Sequence, residues 1–94
     1  MFNVSRGGDG HLRLHGRLDA SQTELIRKIL DEVTKSCTLD FAELDYISSA
    51  GLGVLLATQK RLNESGHNLT ISHMNRHIRE LFHIAGFDLV FEID

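Results

Sequence analysis

Two adjacent serine hydroxyls are the groups in this sequence whose type and spacing point most directly to chemistry. They lie in the segment 45–53, which reads DYISSAGLG, where an apolar strand pattern gives way to a helical one. We predict Ser49 as the helix N-cap, with its hydroxyl oxygen accepting from the backbone N–H of Gly51 or Leu52. The same hydroxyl is chemically competent to accept a phosphoryl group, so the segment has two interpretations, a structural cap and a site of modification.

The two glycines of this segment favour the second interpretation. Gly51 and Gly53 lie in the first turns of the predicted helix, where each costs about 1 kcal/mol of helix propensity relative to alanine. We predict that they leave the helix start bare, so that another protein can approach Ser49 closely. Leu52 is predicted at the rim of the same patch.

Catalytic motifs are missing from the chain. There is no G-x-x-x-x-G-K-[ST] loop, no G-x-G-x-x-G and no G-x-S-x-G, so neither a phosphate-binding loop nor a serine-hydrolase nucleophile is indicated. The acidic residues Asp40, Glu43 and Asp45 have no histidine or lysine beside them in sequence to tune a pKa, and we interpret them as a solvated rim. The chain is therefore not expected to be an enzyme or to carry a cofactor.

The six histidines raise the question of a metal site. His73 and His77 are four residues apart, but a helix cap predicted at Asn75 separates them, so they would not share one helical face. We predict no metal site. The single cysteine, Cys37, falls in an apolar alternating segment and is interpreted as a small core residue.

Length and charge limit the class of protein further. The chain has 94 residues, a formal net charge of −3 and ten Lys and Arg that are scattered rather than clustered, which predicts one domain spanning 1–94 and argues against nucleic-acid binding. No signal segment or membrane-length apolar run is recognised, and one cysteine cannot form an internal disulfide. A cytoplasmic location is expected, without membrane association.

Hydrophobic periodicity predicts the elements that position the serines. Alternating apolar residues around a turn at 6–10 indicate a β-hairpin, and Ser21 with Glu24 forms a potential capping box for a helix over about 21–35. A strand is predicted at 37–41, a helix at 49–65 ending at Gly66, a strand at 69–71, a helix between Asn75 and Gly86, and a final strand over Leu89–Ile93. The order β-β-α-β-α-β-α-β predicts a small α/β fold with a mixed sheet, parallel except for the first hairpin.

Three segments together resemble one known family. GRLDA at 16–20, LDFAELDYISSAGLGVLL at 39–56 and LFHIAGF at 81–87 are similar to the STAS domain, specifically to the short bacterial anti-sigma factor antagonists. The resemblance covers essentially the whole chain, and its central segment is the specific one. It implies a STAS-like fold and a role in signal transduction and transcription regulation by partner switching.

The resemblance also implies a mechanism and a set of residues. Members of the family bind an anti-sigma factor, often a serine kinase of the GHKL type, until phosphorylation of one serine ends the binding, and a PP2C-type phosphatase restores it. The matching phosphoacceptor is Ser49, two positions before the glycine of GLG. Ser48, which stands where many members have aspartate, is the second candidate acceptor. Asp19 of the family's Gly-x-Leu-Asp turn is a candidate partner contact, and the implied partner-binding set is Asp19, Ser48, Ser49, Ala50, Gly51, Leu52 and Gly53.

Two other functions remain open at this point. One is a STAS subunit of a transporter or sensory assembly that is not switched by phosphorylation. The other is a small nucleotide-binding module, for which the pair Gly51 and Gly53 is weak support. Phosphorylation assays distinguish the first alternative, and nucleotide titration tests the second.

Overall fold

The computed structural model describes residues 1–94 and contains five strands and three α-helices. The strands are β1 (Asn3–Arg6), β2 (Leu12–Leu18), β3 (Cys37–Ile47), β4 (Leu69–Ser72) and β5 (Glu92–Ile93), and the helices are α1 (Thr23–Asp31), α2 (Ser49–Glu64) and α3 (Arg76–Ile84). Two 3₁₀ turns, Ala20–Gln22 and Phe87–Leu89, precede α1 and follow α3 respectively.

The strands form one sheet in the order β1-β2-β3-β4-β5. β1 is antiparallel to β2, and every other neighbouring pair is parallel, as the order of the predicted elements implies. Leu12, Leu14 and Leu18 of β2 are buried, whereas Arg17 on the opposite face is exposed. The sheet therefore has one face in the core and one face that is open to solvent.

Strand β3 contains two extra residues where it runs beside β2. Arg13 pairs with Asp40 but His15 pairs with Glu43, and a second shift precedes Arg17. Each bulge lets the next apolar side chain face the core although it lies three residues after the last one, instead of two. The buried residues of β3 follow this spacing: Leu39, Phe41, Leu44 and Ile47.

The start and end of α1 differ from the prediction. Ser21 and Glu24 do not form a capping box, because the Asp19 carboxylate accepts hydrogen bonds from Ser21 N (3.0 Å) and Ser21 Oγ (2.6 Å) and so begins a 3₁₀ turn. The helix ends at Asp31 rather than near 35. Arg61 of α2 donates to the carbonyls of Leu30 and Val33, each at 2.9 Å, and satisfies carbonyls that a longer helix would have used internally.

The last predicted strand is also shorter in the structure. Leu89 belongs to the 3₁₀ turn and is 90% exposed, and β5 begins only at Glu92. Gly86 has φ +76°, a left-handed conformation that ends α3 and favours glycine. Buried Gln59 of α2 then donates to the Val90 carbonyl at 2.9 Å, which fixes this segment as a turn over α2.

A cluster of aromatic rings fills the core beneath α3. The Phe82 ring is fully buried, and its centroid lies 6.2 Å from Phe41, 5.8 Å from Phe87 and 5.7 Å from Phe91. Two of these contacts are edge-to-face, an arrangement that aromatic quadrupoles favour. The cluster joins α3 and the turn after it to the centre of the sheet.

A polar network lies on the open face of the sheet, around Asp40. Partial burial opposes ionisation of Asp40, but hydrogen bonds from Ala42 N and His73, with Arg13 nearby, outweigh it and hold the pKa below the ordinary 3.8. His73 lies before α3 and His77 within it, so the two histidines do not form an i, i+4 pair on one helix. No group of three or more potential metal-ligating side chains occurs in the structure.

Candidate functional site

The two loops that carry the predicted site residues lie at the same edge of the sheet. Leu18 and Ile47 are register partners at the carboxyl ends of parallel strands β2 and β3. Ser48 N donates to the Leu18 carbonyl at 2.8 Å, so the chain after Ile47 starts directly beside the Asp19 loop. Such edges, at the carboxyl ends of parallel strands, are the usual location of functional sites in α/β folds.

Ser48, not Ser49, is the N-cap of α2. Ser48 has extended backbone (φ −83°, ψ 165°) and its Oγ accepts from Gly51 N at 3.1 Å. The prediction is wrong by one residue, because the hydrogen bond to Leu18 continues the strand geometry through Ser48. Ser49 is the first residue of the helix, is exposed and has no side-chain hydrogen bond in the structure. Of the two hydroxyls, that of Ser49 is the free one.

The two glycines have different roles. Gly51 is buried, and a Cβ there would lie 3.0 Å from Leu18 Cγ and 3.2 Å from Ile47 Cγ1. It lets α2 begin close to the sheet, and the expectation that it exposes the helix start is wrong. Gly53 is exposed, and a Cβ there would meet no atom within 4 Å. Leu52 is partly buried against the core.

Replacing each glycine by alanine should stabilise the fold at Gly53 but not at Gly51. Gly53→Ala should stabilise the fold by about 1 kcal/mol, because alanine has the higher helix propensity and nothing is displaced. Gly51→Ala should gain the same propensity but lose about 1–3 kcal/mol to overpacking against Leu18 and Ile47. Urea unfolding of both variants measures the difference, and equal gains in the two would contradict the packing role of Gly51.

Asp19 is held by its own loop. The hydrogen bond from Ser21 Oγ is the main reason that the pKa of Asp19 is lower than its ordinary value, and the N–H of Ser21, the charge of Arg17 and the chain's terminal ammonium add to it. The carboxylate is therefore ionised at neutral pH. Asp19 therefore places a negative charge at one side of the site.

Arg17 and Tyr46 are a pair that the sequence patterns did not reveal. The Arg17 guanidinium carbon lies 4.3 Å from the centroid of the Tyr46 ring, within cation–π distance. The bulges of β3 make these two residues register partners. Only the three-residue spacing from Phe41 to Leu44 and from Leu44 to Ile47 hinted at an irregular strand, and it did not specify this contact.

The site is a surface and not a cavity. None of the four grooves of the structure is lined by residues 48–53. The largest, of about 570 Å³, lies between α3 and β5 and is lined in part by Met74, Phe82 and Ile93. The exposed start of α2 consists of Ser49, Ala50 and Gly53, small residues suited to the close approach of a macromolecule.

Comparison with known proteins agrees with this arrangement. The family model described as "Mlab, STAS domain" matches residues 2–92. The chain belongs to the STAS domain family. The predicted resemblance and α/β fold are thereby confirmed.

Among curated relatives, a protein of Bordetella bronchiseptica named as an anti-sigma factor antagonist, BtrV, is 38% identical over 72 residues. The match covers 77% of this chain but only 61% of BtrV. The anti-sigma F factor antagonist of Paenibacillus polymyxa is 29% identical over 80% of this chain and 68% of its own length. The chain is thus similar to anti-sigma factor antagonists and spans about two thirds of the length of these relatives.

Solved structures of other proteins share the fold. A protein of Thermotoga maritima described as an anti-sigma factor antagonist matches with a TM-score of 0.82 at 21% identity, over 99% of this chain and 85% of that one. Unphosphorylated SpoIIAA matches with a TM-score of 0.77 at 20% identity, over 100% and 88%. At these identities the likeness establishes the fold alone. In this chain, no helix has both the length and the apolar character needed to cross a membrane.

Proposed function

We propose that this chain, as a single STAS domain over residues 1–94, is an anti-sigma factor antagonist that phosphorylation of Ser49 switches off. In its unphosphorylated form it binds an anti-sigma factor that is also a serine kinase of the GHKL type. The kinase transfers a phosphoryl group to Ser49, which ends the binding, and a PP2C-type phosphatase removes it. The chain is a substrate and binding partner in the cytoplasm, and not itself an enzyme.

The free hydroxyl of Ser49 is the observation that carries this proposal. Ser49 is exposed and its Oγ has no hydrogen bond, whereas Ser48 Oγ accepts from Gly51 N. Phosphorylating Ser49 leaves the cap of α2 intact, while phosphorylating Ser48 would modify the atom that forms it. The geometry therefore favours Ser49 as the acceptor and Ser48 as a structural residue.

The position at the first residue of α2 supports a switch that leaves the fold in place. A phosphoserine carries about −1.5 to −2 charges at pH 7. The free N–H groups and the dipole at a helix N-terminus favour an anion there, so the phosphate should not unfold α2. SpoIIAA, which shares the fold, has been solved in unphosphorylated and phosphorylated forms.

The partner surface follows from the same geometry. Asp19 already presents a negative charge beside the start of α2, so a phosphate would increase repulsion against any acidic group of the partner. A partner that covers Ser49, Ala50 and Gly53 would have to remove the phosphate from water. The switch acts at the surface of the complex and not through the core.

Mapping the phosphate tests the acceptor directly. After incubation with the GHKL-type kinase encoded in the same genome and ATP, mass spectrometry should place one phosphate on Ser49. Ser49→Ala should abolish the modification. Ser48→Asn, which removes the hydroxyl but keeps a residue that caps helices well, should leave it unchanged. A phosphate that persists in Ser49→Ala and disappears in Ser48→Asn would reverse the assignment.

The matching family model is described as "Mlab, STAS domain" and not as an antagonist, and this description supports a second candidate function. In it the same surface binds a transporter or sensory assembly without phosphorylation. Stable binding to such an assembly by a chain that no kinase modifies would favour this function over the first.

A further inference from the structure

Arg17 presents a cation with unused hydrogen-bond donors beside the candidate site. Its side chain takes part in no hydrogen bond or ion pair of the structure, although Arg13, Arg27 and Arg76 each pair with a carboxylate. The guanidinium carbon lies 4.3 Å from the centroid of the Tyr46 ring, a contact that pairs none of the guanidinium N–H groups with an acceptor and so leaves the N–H edges without a partner. Such an edge matches the two oxygens of a carboxylate.

The pair is continuous with the start of α2. Arg17 and Tyr46 are register partners, and the next pair along the two strands is Leu18 with Ile47, directly before Ser48. Arg17 is exposed. A protein seated on Ser49 that extends over the edge of the sheet would therefore reach Arg17 on the open face.

We propose that Arg17, held in place by Tyr46, binds a carboxylate of the partner that covers Ser49. This inference rests on the proposed function and adds a requirement to it: the partner has an acidic side chain facing the end of β2. Arginine and tyrosine are enriched at interface positions that dominate binding energy. Because the ring already restricts the guanidinium, less side-chain freedom is lost when the carboxylate binds.

The role is that of a specificity residue. Asp19 lies two residues after Arg17, but its carboxylate accepts hydrogen bonds from Ser21. The acidic residue nearest to Arg17 in sequence therefore leaves the Arg17 N–H donors free. The site thus offers a negative group and an unpaired positive group side by side. A partner with an acidic residue opposite Arg17 is favoured, and one with a basic residue there is disfavoured.

A partner-free measurement tests the stacking. Tyr46 is the only tyrosine and the chain has no tryptophan, so emission excited at wavelengths that phenylalanine does not absorb reports on this ring alone. Arg17→Glu should make Tyr46 emission measurably more sensitive to acrylamide, since one ring face is uncovered. Unchanged quenching would overturn the stacked arrangement on which the proposal depends.

Binding measurements test the recognition. The probe is the purified GHKL-type kinase encoded in the same genome, and Arg17→Glu should raise its Kd at least about tenfold. Arg79→Glu, which makes the same charge change at another exposed, unpaired arginine on α3, should change the Kd by less than about twofold. Tyr46→Phe should retain wild-type affinity and Tyr46→Leu should weaken it, because only the first keeps an aromatic face.

The outcomes separate this inference from the proposed function. If Ser49→Asp weakens binding and Arg17→Glu does not, the Arg17 proposal is overturned and the switch at Ser49 stands. If Arg17→Glu and Arg79→Glu weaken binding equally, the effect is one of net charge and the proposal is again overturned. If the unmodified protein does not bind the kinase, both proposals fail.

Discussion

Ser49→Asp should bind the anti-sigma kinase about a hundredfold more weakly than the wild type, at nearly unchanged melting temperature. Covering a carboxylate at this position without a cation opposite costs about 3 kcal/mol, which corresponds to a factor of about one hundred in Kd. The fold tolerates the charge because Ser49 is the first residue of α2, where the helix dipole favours an anion. Isothermal titration and thermal melting measure the two effects separately.

Two controls show whether the effect belongs to the position. Ser49→Ala should bind as the wild type does but should no longer respond to kinase and ATP. Asn63→Asp adds the same charge at an exposed position near the other end of α2, about 20 Å away along the helix, and should leave the Kd within about twofold. Equal affinities of Ser49→Asp and Ser49→Ala would contradict the proposed switch.

Phe82→Ala should lower the free energy of unfolding by about 3–5 kcal/mol. The ring is fully buried and contacts Phe41, Phe87 and Phe91, so its removal leaves a cavity and ends three aromatic contacts at once. A domain of this size has a total stability of only about 5–15 kcal/mol. Urea unfolding followed by circular dichroism measures the change.

Phe82→Leu is the matched variant for this prediction. It keeps most of the apolar volume and should lose markedly less stability than the alanine variant. Because the Phe82 cluster lies under α3 and not at the start of α2, the folded Phe82→Leu protein should bind the kinase with wild-type affinity. A loss below about 1 kcal/mol in Phe82→Ala would show that the cluster does not hold α3 to the sheet.

Local patterns in the sequence were sufficient for the order of elements. Alternation predicts the strands, helical spacing predicts the helices, and Asn75, Gly66 and Gly86 mark helix ends that the structure confirms: Asn75 Oδ1 accepts from Ile78 N at 2.8 Å, and both glycines have positive φ. These signals act within a few residues of the chain, so they can be recognised without knowing which elements are neighbours. The mixed sheet follows from their order.

Long-range contacts decided the details in which the prediction failed. The end of α1 depends on Arg61, about thirty residues later, and the shortening of the last predicted strand depends on Gln59. The buried role of Gly51 depends on Leu18, which contacts it only after β2 and β3 have paired. No local pattern encodes these distances, because each joins segments that are remote in sequence.

The serine pair shows most clearly which features the sequence determines and which the tertiary structure decides. The sequence by itself determined that two hydroxyls lie where β3 meets α2, next to glycine, in a segment similar to one family's phosphoacceptor site. Only the tertiary structure decided which hydroxyl is free, because the hydrogen bond from Ser48 N to Leu18 O extends the strand by one residue and makes Ser48 the cap. The same strand pairing places Arg17 on Tyr46, since register between strands is a property of the folded sheet.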